Sequence, residues 1–181
     1  MTIYTKKGDT GKTTTVTGQR IEKSSQLLEL QGTVDEVNAG VGYLISLCEE
    51  AMVGKEIRHV LDMLRDIQYA LFRIGTDISS NFTQSLLKEE EIQLLEKEID
   101  EMEKSTGALK NFIYYSGTKS ATYTQVIRSV TRRAERVFAG LLTDSVPEDY
   151  KYMNRLADYF FALARYLNHL EEVDETIMKL R

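Results

Sequence analysis

Three arginines recur every four residues between positions 128 and 136, and they could form an anion-binding surface. Arg128, Arg132 and Arg136 have Glu135 between the last two. At about 100° per residue, these four side chains share one face of a helix. Like charges at this spacing repel each other by roughly 0.2–0.5 kcal/mol per pair. We therefore expect an anionic partner, which could be a carboxylate network or a polyphosphate.

The carboxylate interpretation has candidates elsewhere in the chain. Asp35, Asp158 and Glu135 could pair with the arginines in a buried network. Because ion-pair networks outnumber phosphate sites, spacing alone favours this structural interpretation. Asp158 also forms a polar stripe with Asn154 and Arg165 on an otherwise apolar segment. Buried polar groups need partners, and the helix of the arginines could supply them.

A second candidate anion site lies in residues 5–15, which are rich in glycine, threonine and lysine. Gly11-Lys12-Thr13 resembles the end of a phosphate-binding P-loop, but Lys6 occupies the position where that motif requires a glycine. No alternation of strands and helices follows, so we reject the P-loop fold. Backbone amides, hydroxyls and lysines can still surround phosphates, and the alternative is a flexible basic arm.

The small number of histidine and cysteine residues argues against a protein-bound metal site and against acid–base hydrolysis. His59 and His169 are the only histidines and Cys48 is the only cysteine, which excludes a conventional zinc cluster. Glu56 and His59 match half of a di-iron bundle motif, but no second copy exists, so we interpret His59 as a surface residue. The scarcity of histidine favours chemistry carried by a substrate or cofactor over acid–base hydrolysis.

Composition and periodicity predict a single domain of the all-α class. The 181 residues contain one proline, Pro147, and carry a net charge of −5, which argues against general nucleic-acid binding. No membrane span or signal peptide is recognisable, and we expect a cytoplasmic protein. Residues 1–22 are predicted to form an ordered loop, and residues 25–171 a five-helix bundle. The apolar periodicity places the helices at about 25–50, 54–79, 87–104, 120–142 and 147–171.

Several segments together resemble the PduO-type ATP:cob(I)alamin adenosyltransferases over nearly the whole chain. The N-terminal segment 4–11 resembles the ATP loop of that family, and residues 32–38 resemble the signature of its first helix. Residues 72–77 resemble a weaker second-helix signature, and residues 132–136 and 154–159 resemble the two C-terminal ones. The order and spacing of these segments make the resemblance specific.

The resemblance implies a homotrimer of five-helix bundles with active sites between subunits. Each site would transfer the 5′-deoxyadenosyl group of ATP to Co(I) of a corrinoid, giving adenosylcobalamin and triphosphate. Mg²⁺ would bind through ATP near Glu135, with no dedicated protein metal site. A flavoprotein reductase and an adenosylcobalamin-dependent enzyme are the implied partners, and nucleic acid and membrane are not expected. The implied ATP-binding residues are Thr5, Lys6, Lys7, Gly8, Thr13, Thr14, Lys23, Arg128, Arg132, Arg133, Glu135, Arg136 and Asn154.

The same resemblance assigns catalytic roles to Phe112, Arg132 and Asp35. Phe112 would displace the lower axial ligand of the corrinoid, and Asp35 would pair with Arg132 across the subunit boundary. Phe112 and Tyr114 are the expected corrinoid-binding residues.

The loop after Phe112 departs from the family pattern. The family usually has Ile-Leu-Pro-Gly-Gly-Ser there, whereas residues 113–118 read Ile-Tyr-Tyr-Ser-Gly-Thr. This departure motivates a second hypothesis, a non-catalytic carrier of ATP or adenosylcobalamin. A third hypothesis is a structural trimer in which the arginines only hold subunits together.

Overall fold

The computed structural model describes residues 3–4, 6–143 and 146–179. Five helices contain most of the regular structure: α1 (Gln26–Ala51), α2 (Lys55–Ser79), α3 (Glu89–Thr106), α4 (Lys119–Ala139) and α5 (Glu148–Leu170). The predicted five-helix architecture is confirmed, and every bound lies within three residues of its prediction.

A small antiparallel hairpin precedes the helices and corrects the all-α prediction. Its strands are β1 (Lys12–Thr14) and β2 (Arg20–Glu22), paired with Thr13 opposite Ile21. The turn closes through a 2.9 Å hydrogen bond from the Thr15 amide to the Gln19 carbonyl. Gly18 adopts a φ of +84° in this turn, a conformation that suits glycine. The β-branched residues on both sides of the turn favour strands.

The helices pack in the order α2, α1, α4, α5, α3. Helix α5 is buried on most of its circumference, including Tyr159, Phe160 and Leu163, as its apolar sequence predicts. Helix α1 meets α4 at Gly40, where a Cβ atom would lie 3.2 Å from Ile127 Cγ1. Glycine at that position permits the close approach that brings α4 against α1. None of the helices in the described part of the chain is long and apolar enough to cross a membrane.

Candidate functional site

The N-terminal loop and hairpin enclose a polar cavity of about 410 Å³, lined by Lys7, Gly8, Lys12, Thr13, Thr14 and Arg20. Four of the residues predicted to bind nucleotide are therefore side by side. A Cβ atom on Gly8 would lie 2.8 Å from Lys23 Nζ, so glycine keeps Lys23 close to the loop. Lys6 is exposed with a φ of +58°, and Thr5 lies outside the described residues.

Lys12 and Arg20 also line this cavity, although neither is among the residues predicted to bind ATP. Lys12 pairs with Glu22 across the hairpin at 2.7 Å, and Arg20 donates to Thr10 Oγ1 at 3.5 Å. The Gly11-Lys12-Thr13 tripeptide was a usable signal for Lys12. Arg20 has no such signal, because only the pairing of β2 with β1 brings it to the cavity. A strand follows Gly11 where a P-loop requires a helix, which agrees with rejecting that fold.

The arginines of α4 do not form the predicted carboxylate network within the chain. Arg132 and Arg136 are exposed, and neither forms an ion pair with any residue that the structure describes. Asp158 instead accepts a hydrogen bond from Arg155 at 2.9 Å, one turn away on α5. That local geometry satisfies Asp158 without reaching across to α4. The carboxylate network, which spacing alone favoured, is therefore not formed among the described residues.

Glu135 and Asn154 connect α4 to α5 beside the unpaired arginines. Asn154 Nδ2 donates to Glu135 Oε1 at 3.4 Å, a long hydrogen bond that leaves most of the carboxylate's accepting capacity free. Asn154 therefore contacts the helix of the arginines, which was one possibility for the polar stripe. Arg133, one residue from Arg132, behaves differently because it forms an ion pair with Glu36 of α1.

Arg128 lies against aromatic rings instead of against carboxylates. Its guanidinium carbon is 5.5 Å from the ring centre of Tyr115 and 5.2 Å from that of Phe161. Arg128 Nη1 also donates to the Tyr115 hydroxyl at 3.3 Å. Arg128 and Phe161 line a cleft between α3, α4 and α5, of about 610 Å³, together with Asp158. Stacking of this kind holds an arginine in place while it stays half exposed.

Asp35 lies on the other side of the bundle, in a cleft of about 670 Å³ between α1 and α2. Val16 of the hairpin turn also lines this cleft, and its amide donates to Ser79 Oγ of α2 at 3.3 Å. Asp35 is exposed and forms no ion pair within the described residues. Asp35 and the exposed arginines of α4 therefore do not pair with each other among the described residues.

The Phe112 loop, residues 107–117, joins α3 to α4. Phe112 is 73% exposed and lines a cavity of about 470 Å³ with Leu109, Lys110, Asn111 and Met178. Tyr114 is also exposed. The two predicted corrinoid-binding residues therefore sit on one surface loop, and their side chains have little intrachain packing.

Arg165 does not face the arginine helix, which corrects the prediction for the polar stripe of α5. Its Nε donates to Glu175 Oε1 at 2.5 Å, and its Nη2 donates to the Gly107 carbonyl at 3.0 Å. The side chain is only 4% exposed. Arg165 points instead to α3 and to the segment after α5, and this segment has no periodicity from which the pairing could have been predicted.

The predicted catalytic residues are not assembled by one chain. Phe112 and Asp35 line separate cavities, and Arg132 lines neither of them. No hydrogen bond or ion pair in the described residues joins the N-terminal cavity to the arginines of α4. If these groups act together, a second copy of the chain has to bring them together.

Comparison with known proteins agrees with the arrangement of these segments. Residues 3–167 match the family model described as cobalamin adenosyltransferase. A corrinoid adenosyltransferase from Bacillus subtilis is 37% identical over 93% of this chain and 87% of its own length. The corrinoid adenosyltransferase MMAB of Mus musculus is 35% identical over 98% of this chain and 77% of its own.

Solved structures show the same similarity in three dimensions. An F112H variant of a PduO-type ATP:corrinoid adenosyltransferase from Lactobacillus reuteri, complexed with cobalamin and ATP, superposes with a TM-score of 0.88. It is 34% identical, and the match covers 98% of this chain and 97% of that one. The family match over most of the chain, the identities above 30% and the shared fold lead to one conclusion: this chain belongs to the cobalamin adenosyltransferase family, and its relatives include the PduO-type enzymes.

Proposed function

We propose that this protein transfers the 5′-deoxyadenosyl group of ATP to Co(I) of a corrinoid, giving adenosylcobalamin and triphosphate. Besides family membership, the observation that carries the proposal is the exposure of Arg132 and Arg136 without ion-pair partners in the described chain. Unpaired guanidinium groups on a rigid helix suit the oxygens of a triphosphate. A purely structural role for these arginines would require carboxylate partners, and the described residues supply none.

The chemistry needs no protein base. The lone pair of Co(I) forms a bond to C5′ of ATP, the C5′–O bond breaks, and triphosphate leaves with the bonding electrons. Negative charge grows on that leaving group, and Arg132 and Arg136 would stabilise it in the transition state. Lys7 and Thr13 of the N-terminal cavity would hold the phosphate chain and align C5′ with the cobalt.

Glu135 fits a role near the Mg²⁺ that accompanies ATP. Among the described residues its carboxylate accepts one long side-chain hydrogen bond, from Asn154, and carboxylate and phosphate oxygens are the ligands that Mg²⁺ prefers. When bound, Mg²⁺ would neutralise part of the triphosphate charge. Asn154 would keep the Glu135 side chain oriented toward the arginine face.

We assign corrinoid binding to the exposed Phe112 and Tyr114. An apolar ring at the lower face of the corrin would exclude the axial ligand, leaving cobalt four-coordinate and easier to reduce. Phe112 suits this role because its ring is largely exposed and lies on a cavity of about 470 Å³.

The direct test supplies cob(I)alamin and ATP without oxygen, and follows the spectrum of adenosylcobalamin together with triphosphate release. We expect one triphosphate per adenosylcobalamin over many turnovers. Tight ATP binding without product would overturn the proposal. A single turnover with retained adenosylcobalamin would indicate the carrier instead of the enzyme.

We also propose that the active site forms between subunits of a trimer, with the loop of one chain facing α4 of the next. The separation of the N-terminal cavity, Asp35 and the α4 arginines within one chain supports this arrangement. Asp35 of one subunit would then pair with Arg132 of its neighbour.

Subunit mixing tests the shared site. Lys7→Ala impairs the N-terminal loop of the shared site and Arg132→Ala impairs its α4 face, so each variant alone should have low activity. Co-expressed chains should regain activity, because some mixed sites combine an intact loop with an intact α4. Separately purified variants, combined without subunit exchange, are the control. Mixed trimers as inactive as the parents would place both halves in the same subunit.

A further inference from the structure

The backbone of the Phe112 loop is held by the segment that follows α5. We name residues 172–179 the C-terminal strap. The Tyr114 amide donates to the Thr176 carbonyl at 2.9 Å, and the Met178 amide donates to the Phe112 carbonyl at 2.7 Å. These bonds form an isolated antiparallel bridge between Ile113 and Ile177. Because the side chains of Phe112 and Tyr114 are exposed, this bridge restrains their position through the backbone.

The strap is exposed along its whole length, so it needs an anchor in order to restrain anything. Glu175 supplies one by pairing with the buried guanidinium of Arg165. A buried charge is stable only when it is paired and hydrogen-bonded. The ion pair therefore fixes the middle of the strap to α5.

Arg165 also fixes the start of the Phe112 loop. Its Nη2 donates to the carbonyls of Gly107 at 3.0 Å and Thr106 at 3.5 Å, where α3 ends and the loop begins. One guanidinium thus connects α5, the strap and the loop. Packing of the helices does not require these bonds, because the loop contributes no buried side chain to the core.

The other end of the loop is fixed by Asn168, one turn further along α5. Asn168 Nδ2 donates to the Ser116 carbonyl, and its Oδ1 accepts from the Thr118 amide, both at 3.0 Å. Gly117 has a φ of +114°, and a Cβ atom there would overlap the Asn168 side chain. With both ends fixed, the strap determines the position of the exposed middle.

We propose that Arg165 and Glu175 are positioning residues that act through the C-terminal strap to hold Phe112 against the lower face of the corrin. This inference rests on the proposed adenosyltransfer, and it assigns a function to an ion pair outside the nucleotide-binding groups. Holding the ring matters most when cob(II)alamin is the substrate, because its axial ligand has to be displaced before reduction. Cob(I)alamin has already lost that ligand.

The test compares Glu175→Gln with Glu172→Gln, the same change in a strap carboxylate that forms no ion pair within the described residues. Two adenosylation rates are measured, one starting from cob(II)alamin with a reduced flavin as electron donor and one from chemically reduced cob(I)alamin. Glu175→Gln should lower the first rate by about tenfold and the second by less than about twofold. The KM for ATP and the rates of Glu172→Gln should stay at wild-type values. Equal loss of both rates, or no loss, would overturn the positioning role.

Amide exchange tests the strap without reference to catalysis. The Tyr114 and Met178 amides should exchange about tenfold faster in Glu175→Gln than in Glu172→Gln, because the strap opens more often. An inactive wild-type protein would refute the adenosyltransferase proposal, whereas unchanged exchange would refute the strap.

Met178→Pro provides a second variant should Glu175→Gln fail to fold. It removes the N–H group that bonds to the Phe112 carbonyl, together with the Met178 side chain that lines the Phe112 cavity, on an exposed segment away from the core. The same difference between the cob(II)alamin and cob(I)alamin rates is expected, and wild-type rates from both substrates would overturn the proposal.

Discussion

Arginines on two neighbouring helices, α4 and α5, differ in burial and in ion pairing. On α4, Arg132 and Arg136 are exposed and form no ion pair within the described residues. On α5, Arg165 is buried and bonds to Glu175 and to two backbone carbonyls. An arginine whose hydrogen bonds are met inside the chain contributes to structure. One that is fixed on a helix but has no partner is available to a ligand or to a second subunit.

The sharpest way to break this comparison is Arg132→Ala. Removing a group that stabilises the leaving triphosphate should lower the adenosylation rate by about 10²–10³-fold. The free energy of unfolding should change by less than about 0.5 kcal/mol, because the side chain is exposed. Steady-state kinetics and urea unfolding measure the two effects.

Arg65→Ala is the matched control for Arg132→Ala. Arg65 is an exposed arginine of α2 that pairs with Glu49 at 2.9 Å and borders none of the cavities described above. It should leave the rate unchanged. A large loss of stability or of the trimer in Arg132→Ala, with ATP binding intact, would favour the scaffold interpretation.

Arg165→Ala should show the opposite result, with stability as the main loss. Removing the buried Arg165 side chain deletes its packing and leaves Glu175 and the Gly107 carbonyl without their donor, which costs about 2 kcal/mol in unfolding free energy. Urea denaturation of the purified protein measures this cost. An Arg165→Ala protein as stable as wild type would show that burial of this arginine does not distinguish it from Arg132.

The part of this comparison that the sequence predicts is the periodic part. Helical spacing placed all five helices and the common face of the arginines, because burial of a helix repeats along the chain. The partner of Arg165 was unpredictable, since Glu175 lies in a segment without periodicity and meets α5 only through the folded strap. The hairpin was also missed, because three-residue strands are too short to show an alternating pattern.

In the candidate site, too, the sequence predicts residues that are close along the chain and not the contacts between distant segments. Lys7, Gly8, Thr13 and Thr14 were predicted as a group because they are close in sequence, and they line one cavity. The alternative that paired the arginines with Asp158 is not observed, because spacing on one helix carries no information about competing partners on another. Arg155, three residues before Asp158, was the nearer partner.

The buried carboxylate of Asp149 tests how burial of a charge affects the stability of this fold. Burial, and secondly the charge of Asp77, raise the pKa of Asp149 from its usual 3.8 to about 7. The folded protein therefore retains a proton that the unfolded chain releases between these values. Stability contributed by this group falls as pH rises from about 4 to 7 and stays low above that.

Asp149→Asn removes this pH dependence while keeping the shape of the side chain. Its unfolding temperature should exceed that of the wild type at pH 8 and equal it near pH 4. At pH 8 the free energy of unfolding should increase by at most about 4 kcal/mol. Asp66→Asn, a change of an exposed carboxylate on α2, should show no such trend. The same gain at both pH values would assign the effect to packing instead of ionisation.

The smallest effect is expected at Arg133, which lies between the two classes of arginine. It was predicted to bind ATP, yet it is half exposed and pairs with Glu36 of α1. An exposed ion pair of this kind contributes less than about 1 kcal/mol. Because Glu36 pairs with Arg133, Arg133→Ala should raise the KM for ATP by only about twofold, far less than Arg132→Ala.

In Glu36→Gln the freed guanidinium of Arg133 should bind phosphate, so that ATP binds more tightly. A double-mutant cycle of the two positions measures the coupling, and an Arg133→Ala defect as large as that of Arg132→Ala would show that pairing inside the chain does not keep an arginine from the triphosphate.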